Sequence, residues 1–359
     1  CGICGWVSYP ENNIDPSVLE RMVSALRHRG PDDSGLWRSR NVSFGHTRLS
    51  IIDLNTGDQP MVDSEGRAIV FNGEIYNFRE LRHELEMRGH RFRSASDTEV
   101  IVHLYEEEGP EFVRRLDGMF AFALWDARTR ALMLARDRLG QKPLFYWQRG
   151  DTVVFGSEPK ALFQDSTVPV EVDQEAIHHY LTYGYVPAPR SAFKHIRKLA
   201  PAHYMIVRDG KVRLSRYWSL DYEPKRQASD EDLEAELDEL LDRAVARRLV
   251  ADVPLGVLLS GGLDSSAVVA LMRRLGAGEI KTFAIGFDHP QYDELPYART
   301  VAATFDTKHH EFVVRPDVAD LLPRLVYHYN EPFADSSALP TWVLTEMAGR
   351  SITVALSGD

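Results

Sequence analysis

The chain changes its hydrophobic pattern part way along, and that change commits it to a two-part fold. Up to about residue 200, short runs rich in β-formers lie close together: Arg67–Tyr76, Phe120–Asp126, Ala131–Asp137 and Thr152–Glu158. A polar turn alone separates Phe120–Asp126 from the next run, which is the pattern of a hairpin and predicts antiparallel sheet. Helices are expected at Pro16–Arg27, Phe78–Arg88 and Asp97–Glu108, with Gly89 and Gly109 stopping the last two. From about residue 230, strands and helices alternate. Pro254–Leu259, Lys281–Phe287, Glu311–Val314 and Ile352–Leu356 read as strands, with helices at Asp264–Leu275, Glu294–Thr304 and two later stretches. This alternation predicts a parallel, doubly wound sheet. An amphipathic helix over Glu231–Val250, with Leu233, Leu237, Leu240, Leu241 and Ala244 at helical spacing, opens the second half. The polar stretch Tyr222–Ser229 is the expected linker, so the boundary falls within 205–228, and the domains are assigned as 1–210 and 228–359. At roughly 100–200 residues per domain, a chain of 359 residues accommodates two cores.

A formal charge of −11 argues against a nucleic-acid-binding surface. No apolar run approaches the roughly 20 residues of a membrane span, and no signal peptide is expected. With two cysteines in the whole chain, a cytoplasmic location is expected.

Cys1 places a thiol and an α-amino group on one residue. A thiol is mostly protonated at neutral pH and needs a base, and an α-amine of ordinary pKa about 8 can serve as one. Gly2 lets the backbone pass close to a substrate. Cys1 therefore reads as an N-terminal nucleophile. Cys1 and Cys4 also spell C-x-x-C, but no second pair completes a Cys4 zinc site. Cys4 is expected to be a small core residue.

The sharpest local motif is Ser260-Gly-Gly-Leu-Asp-Ser-Ser266, set after the apolar Leu255–Leu259 and opening a helix. Paired glycines, three serines and a helix N-terminus make an anion site for phosphate. It is not a Walker A loop, since no Gly-Lys-Ser/Thr occurs. Asp264, unusual in an anion loop, is a candidate to hold Mg²⁺ bridging to phosphate oxygens. A second apolar run, Ile352–Leu356, empties into Ser357-Gly358-Asp359. A helix normally follows such a strand, so the second domain is expected to continue past Asp359.

These features resemble the class II glutamine amidotransferases of the asparagine synthetase family. The resemblance covers essentially the whole chain. It rests on Cys1-Gly-Ile, Arg29-Gly-Pro-Asp32, Arg48-Leu-Ser-Ile-Ile-Asp53, Phe71-Asn-Gly-Glu-Ile-Tyr-Asn77, Ser96-Asp-Thr-Glu-Val100, Gly118-Met-Phe-Ala-Phe122, Ala135-Arg-Asp-Arg-Leu-Gly140, Ser260–Ser266 and Ser357-Gly358. It implies an α+β N-terminal nucleophile domain, αββα with antiparallel sheets, followed by an α/β doubly wound ATP-pyrophosphatase domain. Cys1 would attack the glutamine carboxamide, with Asn72 and the Gly73 N–H as oxyanion donors. Arg48 would meet the substrate α-carboxylate, Leu49, Ser50, Ile51 and Ile52 would add contacts from the same segment, and Glu74 and Asp97 would hold the ammonium. In the second domain, Ser260, Gly261, Gly262, Asp264, Ser265 and Ser266 would bind pyrophosphate. Leu259, Ile285, Ser357 and Gly358 match family positions that contact the adenine nucleotide, and Asp359 matches an acidic position near the acyl-adenylate. ATP would adenylate a carboxylate, aspartate first, and ammonia crossing from the first site would displace AMP to form asparagine.

Each residue also has a plainer reading. Asn72-Gly73 is a common hairpin signal. Ser96 to Glu99 spells a helix capping box, with Asp97 as first-turn charge. Arg48 would suit a surface strand. At the level of function, the alternatives are an amidotransferase for a sugar acid or another natural-product carboxylate, a stand-alone glutaminase, and a non-catalytic scaffold or regulator. The expected partners are glutamine, ATP and a carboxylate acceptor, without nucleic acid or membrane; a homodimer is compatible.

Overall fold

The computed structural model describes residues 1–9, 14–287, 293–314 and 318–358, so Asp359 lies outside the described residues. Two compact units divide the chain: Cys1–Asp221 with Tyr329–Ala334, and Tyr222–His328 with Asp335–Asp359.

In chain order the first unit holds β1 (Gly2–Ser8), α1 (Pro16–Ala25), β2 (Asp33–Arg38), β3 (Val42–Arg48), β4 (Met61–Val62), β5 (Arg67–Ile75), α2 (Phe78–Met87) and α3 (Asp97–Glu108). It continues with β6 (Gly118–Asp126), β7 (Ala131–Arg136), β8 (Phe145–Arg149), β9 (Thr152–Gly156), α4 (Pro159–Leu162), α5 (Gln174–Tyr183), β10 (Arg197–Lys198), β11 (His203–Arg208) and β12 (Lys211–Arg216). The expected hairpin is β6–β7, antiparallel from Asp126 opposite Ala131. The β11–β12 pairing carries this unit past residue 210.

Two six-stranded sheets form, ordered β10-β8-β9-β1-β3-β2 and β12-β11-β7-β6-β5-β4. Side chains alternate across a strand with period two. Ile3 and Val7 of β1, Val42 and Phe44 of β3, and Ala68 and Val70 of β5 therefore meet in one core where the sheets face each other. Cys4 and Trp6 point the other way and pack on Leu19, Met22, Val23 and Leu26 beside α1. Cys4 is thus the expected core cysteine; it is fully buried, and burial alone pushes its thiol pKa up.

The second unit holds α6 (Asp230–Arg248), β13 (Leu255–Leu258), α7 (Leu263–Arg274), β14 (Lys281–Phe287), α8 (Leu295–Thr304), β15 (Lys308–Val314), α9 (Val318–Tyr329), α10 (Ala338–Ala348) and β16 (Val354–Leu356). Its four strands are parallel, in the order β15-β14-β13-β16. Val257, Leu259, Ala284 and Leu356 pack with Val245, Val269, Leu271 and Ala298 on one face. Phe283, Leu258 and Phe312 pack with Leu344 and Ala348 on the other. Both faces are covered, as a doubly wound sheet requires. The chain steps outward from β13 to β15 and then returns to β16 on the opposite side of β13. The strand order therefore reverses beside β13, where such sheets bind ligands at their carboxyl ends.

Candidate active site

In the first unit, the alternation that builds the inter-sheet core runs on into polar residues. Cys1 continues the inward face of β1, His46 and Arg48 that of β3, and Asn72 and Glu74 that of β5. Hydrophobic stacking thus delivers a nucleophile, a guanidinium, an amide and a carboxylate to one end of the sandwich.

Cys1 is half-buried, with its Sγ 3.4 Å from the Leu49 N and 3.5 Å from the Leu49 O. Its carbonyl accepts from Arg29 Nε at 3.0 Å. Burial, helped by the charges of Arg29 and Lys142, lowers the α-amine pKa from 8.0 to about 5, so the amine is a free base at neutral pH. Arg29 is held in turn by Glu158 at 2.8 Å, which also meets His28 at 3.0 Å and Lys160 at 2.9 Å. Burial pushes the Glu158 pKa up, but hydrogen bonds from His28, Arg29 and Lys160 and the charge of Arg29 hold it well below the usual carboxylate range.

Gly2 owes its identity to packing rather than to substrate: a Cβ there would lie 2.7 Å from Thr47 Oγ1 and 3.1 Å from Leu26 Cβ. Arg48 is no surface residue. It is buried, with Nη1 on Asp58 at 2.7 Å and Nη2 on the Asp53 carbonyl. Asp58 is well exposed, so this partner is free to swing aside for a carboxylate. Leu49, Ser50, Ile51 and Ile52 follow as half-buried chain, and the Ser50 N–H donates to Asp32 at 2.8 Å.

Asn72-Gly73 is not a hairpin turn. Both residues lie within β5, opposite Ala121 and Phe120. A Cβ on Gly73 would sit 2.1 Å from the Met119 carbonyl. Asn72 is buried, and its Nδ2 has no hydrogen-bond partner. A buried amide donor without an acceptor is costly and calls for an explanation; an oxyanion that forms only during reaction supplies one. One residue earlier, the Phe71 carbonyl accepts from His46 Nε2 at 3.1 Å. A carbonyl only accepts, so the ring proton sits on Nε2. Burial, then the charge of the N-terminus, takes the His46 pKa down to about 3, so the ring stays neutral.

The capping box is half-formed. Ser96 Oγ accepts from Thr98 N at 3.1 Å, but Glu99 turns to the backbone N–H groups of Arg93 and Ser94, both at 2.8 Å. Asp97 is buried and accepts from Ile75 N at 2.9 Å. Burial raises its pKa to about 7; the Ile75 bond opposes this, and the charge of nearby Glu74 adds to it. A ligand ammonium would stabilise the Asp97 carboxylate and offset the Glu74 charge. Lys142, which no motif singles out, is half-buried near the same charges. Burial, then Arg29, lowers its pKa, while Glu74 raises it. The one sequence signal for it is its place just after Ala135–Gly140.

In the second unit, a cavity of about 220 Å³ lies at the carboxyl end of β13. It is lined by the expected Leu259, Ser260, Gly262, Asp264, Ser265, Ile285, Ser357 and Gly358. Gly261 and Ser266 are not in the lining. Gly261, at φ +86°, turns toward α8, where a Cβ would meet Ala298 N at 2.5 Å. Ser266 lies within α7, its N–H bonded to the Gly262 carbonyl. Ser260 and Ser265 hydroxyls pair at 3.0 Å, and Gly262 caps α7 with no side-chain bond. First-turn N–H groups of a helix have no acceptor within it and suit an anion. Glu294, Thr341 and Leu344 also line the cavity. They come from distant segments and no local motif marks them. The carboxylates of Asp264 and Glu294 make a hard oxygen donor set of the kind Mg²⁺ takes with phosphates.

A first-residue cysteine beside two facing antiparallel sheets defines an N-terminal nucleophile domain, here followed in the chain by a doubly wound parallel sheet. The glutamine amidotransferase domain family matches residues 1–218, and the asparagine synthase family matches residues 236–359. Asparagine synthetase [glutamine-hydrolyzing] 1 of Bacillus subtilis (strain 168) is 36% identical over 95% of this chain and 54% of its own length. Its paralogue 3 is 36% identical over 100% and 62%, and putative asparagine synthetase 2 of Methanocaldococcus jannaschii 36% over 100% and 74%. The chain thus spans between about half and three-quarters of these relatives, and it belongs to the glutamine-hydrolysing asparagine synthetase family. Among the described residues no helix is long and apolar enough to cross a membrane.

Proposed function

We propose that the first unit hydrolyses glutamine at Cys1 and that the second binds ATP to activate a carboxylate, aspartate, for amide formation. The observation that carries the reading is the pairing of a neutral α-amine on Cys1 with the orphaned Asn72 Nδ2 donor. The amine takes the thiol proton as Sγ attacks the carboxamide carbon. Asn72 Nδ2 and the Gly73 N–H then stabilise the oxygen that gains charge. The amine returns the proton to the departing nitrogen, which leaves as ammonia, and a water then attacks the thioester left on Cys1, giving glutamate and restoring the thiol. Arg48 receives the substrate carboxylate in place of Asp58, and Asp97 with Glu74 receives its ammonium.

In the second unit, Ser260, Ser265 and the first-turn N–H groups of α7 hold the phosphates, while Leu259 and Ile285 provide apolar contact. Adenylation makes the acceptor carbon electrophilic, and ammonia replaces AMP. Mg²⁺ at Asp264 and Glu294 would neutralise phosphate charge. Asp359 lies outside the described residues and is given no role.

The test is ammonia release from glutamine by the protein and by Cys1→Ala, with pyrophosphate release measured alongside over a set of acceptor acids. Pyrophosphate released with aspartate and with none of the others supports this acceptor. Ammonia release with no pyrophosphate on any acid would refute the second half.

A further inference from the structure

Away from Cys1, two histidines of the first unit face each other. His90 follows α2 and His103 lies on α3. Their Nδ1 atoms are 3.1 Å apart. Each ring has a carboxylate on its far side. His90 Nε2 is 2.8 Å from Glu107 Oε1, and His103 Nε2 is 3.7 Å from Glu99 Oε1. The Glu107 carboxylate accepts only, so it draws the His90 ring proton to Nε2 and leaves its Nδ1 as a lone pair, while His103 Nε2 is buried with no hydrogen-bond partner. With His103 as the Nε2–H tautomer, both Nδ1 lone pairs are available to one cation at that separation. Glu106 brings a carboxylate oxygen to 3.9 Å from each Nδ1.

The spacing suits a transition ion. Ligands about 2.0–2.1 Å from a tetrahedral metal are about 3.3–3.4 Å from one another. The nitrogen pair is already near that edge, and Glu106 needs to move by only about half an ångström. Glu106 also lies 3.3 Å from Arg67 Nη1, but Asp63 and Glu65 hold Arg67 as well, each at 2.6 Å. Arg67 therefore stays neutralised if Glu106 turns. His103 and Glu106 line a cavity of about 370 Å³, which offers an entry path and room for a water as fourth ligand.

We propose that His90 Nδ1, His103 Nδ1 and Glu106 bind one divalent ion of the zinc type, with Glu107 orienting the His90 imidazole. Imidazole nitrogens select such an ion over Mg²⁺ or Ca²⁺, and a carboxylate behind each ligating histidine is the usual support. The site is structural. It ties residue 90, at the start of the segment leading to Asp97, onto α3, and Glu99 already binds the Arg93 and Ser94 N–H groups of that segment.

The experiment titrates Zn²⁺ and Co²⁺ into the full chain carrying Cys1→Ser, which removes the active-site thiol as a competing ligand. Expected are one bound equivalent, Co²⁺ visible bands of a tetrahedral nitrogen and oxygen site, and a Tm that rises with metal. His103→Gln and Glu106→Gln should weaken binding roughly tenfold or more and remove the Tm rise. Stoichiometry and affinity unchanged in both variants, or no binding at about 0.1 mM metal, would overturn the site; the latter leaves a shared proton as the bridge. If His103→Gln fails to fold by circular dichroism, Glu106→Gln, at a more exposed position, decides the matter alone.

Discussion

The two candidate sites of this chain are built in opposite ways. The first unit assembles side chains from three strand regions and a helix far apart in sequence, with Cys1, Arg48, Asn72 and Asp97 on four different segments. Its candidate groups are displaced from their solution chemistry: an amine lowered to about 5, an acid raised to about 7 and an amide donor without an acceptor. The second unit relies on small residues and main-chain N–H groups at the carboxyl ends of two neighbouring strands, β13 and β16. Charge is tuned by burial in one and by backbone direction in the other. A site of the first kind is sensitive to any change of a polar side chain. A site of the second kind is sensitive to added bulk.

Four experiments press on that contrast. The largest effect is expected from Cys1→Ala, which should lower glutamine hydrolysis by about 10⁴-fold or more while ATP affinity stays unchanged. Loss of ATP binding in the folded variant would show that the two sites are not separable. Next, Asn72→Ala should cost about 10²–10³ in kcat for glutamine, the usual loss for one oxyanion donor, with little change in KM. A change in KM alone would place Asn72 in ground-state binding instead.

Bulk is the test for the second unit. A Cβ on Gly358 would lie 2.4 Å from Ser265 N and 2.7 Å from Asp264 C. Gly358→Ala should therefore weaken ATP binding roughly tenfold, read by calorimetry, and leave glutaminase activity alone. Unchanged affinity would mean that the cavity does not hold nucleotide.

The smallest effect is a split in pH profiles. In the free enzyme Asp97 takes a proton as pH falls through about 7, loses its charge and holds ammonium less well. The value of kcat/KM for glutamine should fall from that point. With substrate bound, the ammonium keeps Asp97 ionised, so kcat should persist until the Cys1 amine protonates near pH 5. Coincident profiles would remove Asp97 from ammonium binding.

How much of this was legible beforehand follows the same contrast. In the second unit the local motif, strand, Ser260–Ser266, helix, marks Ser260, Gly262, Asp264 and Ser265 of the cavity, while Leu259 and Ile285 are expected only from the family resemblance. Glu294, Thr341 and Leu344 escaped notice because only the folded sheet brings them to the cavity. In the first unit, residue identities were readable but their settings were not. Asn72-Gly73 carries a hairpin signal, yet it lies mid-strand because β5 pairs along its length with β6, which begins at residue 118. Ser96 to Glu99 spells a reciprocal cap, yet Glu99 binds the preceding loop instead. Gly2 is explained by Thr47, its partner across the sheet.

The sequence by itself determined the two-part plan, the antiparallel and parallel halves, the nucleophile candidate and the anion loop. These follow from hydrophobic period, turn residues and backbone conformations, which act over a few residues. Tertiary structure alone decided which groups are charged. It set the amine of Cys1, the acid of Asp97, the neutral ring of His46 and the lowered pKa of Lys142. Desolvation and the Coulomb field depend on everything packed nearby, and no short stretch of chain carries that information.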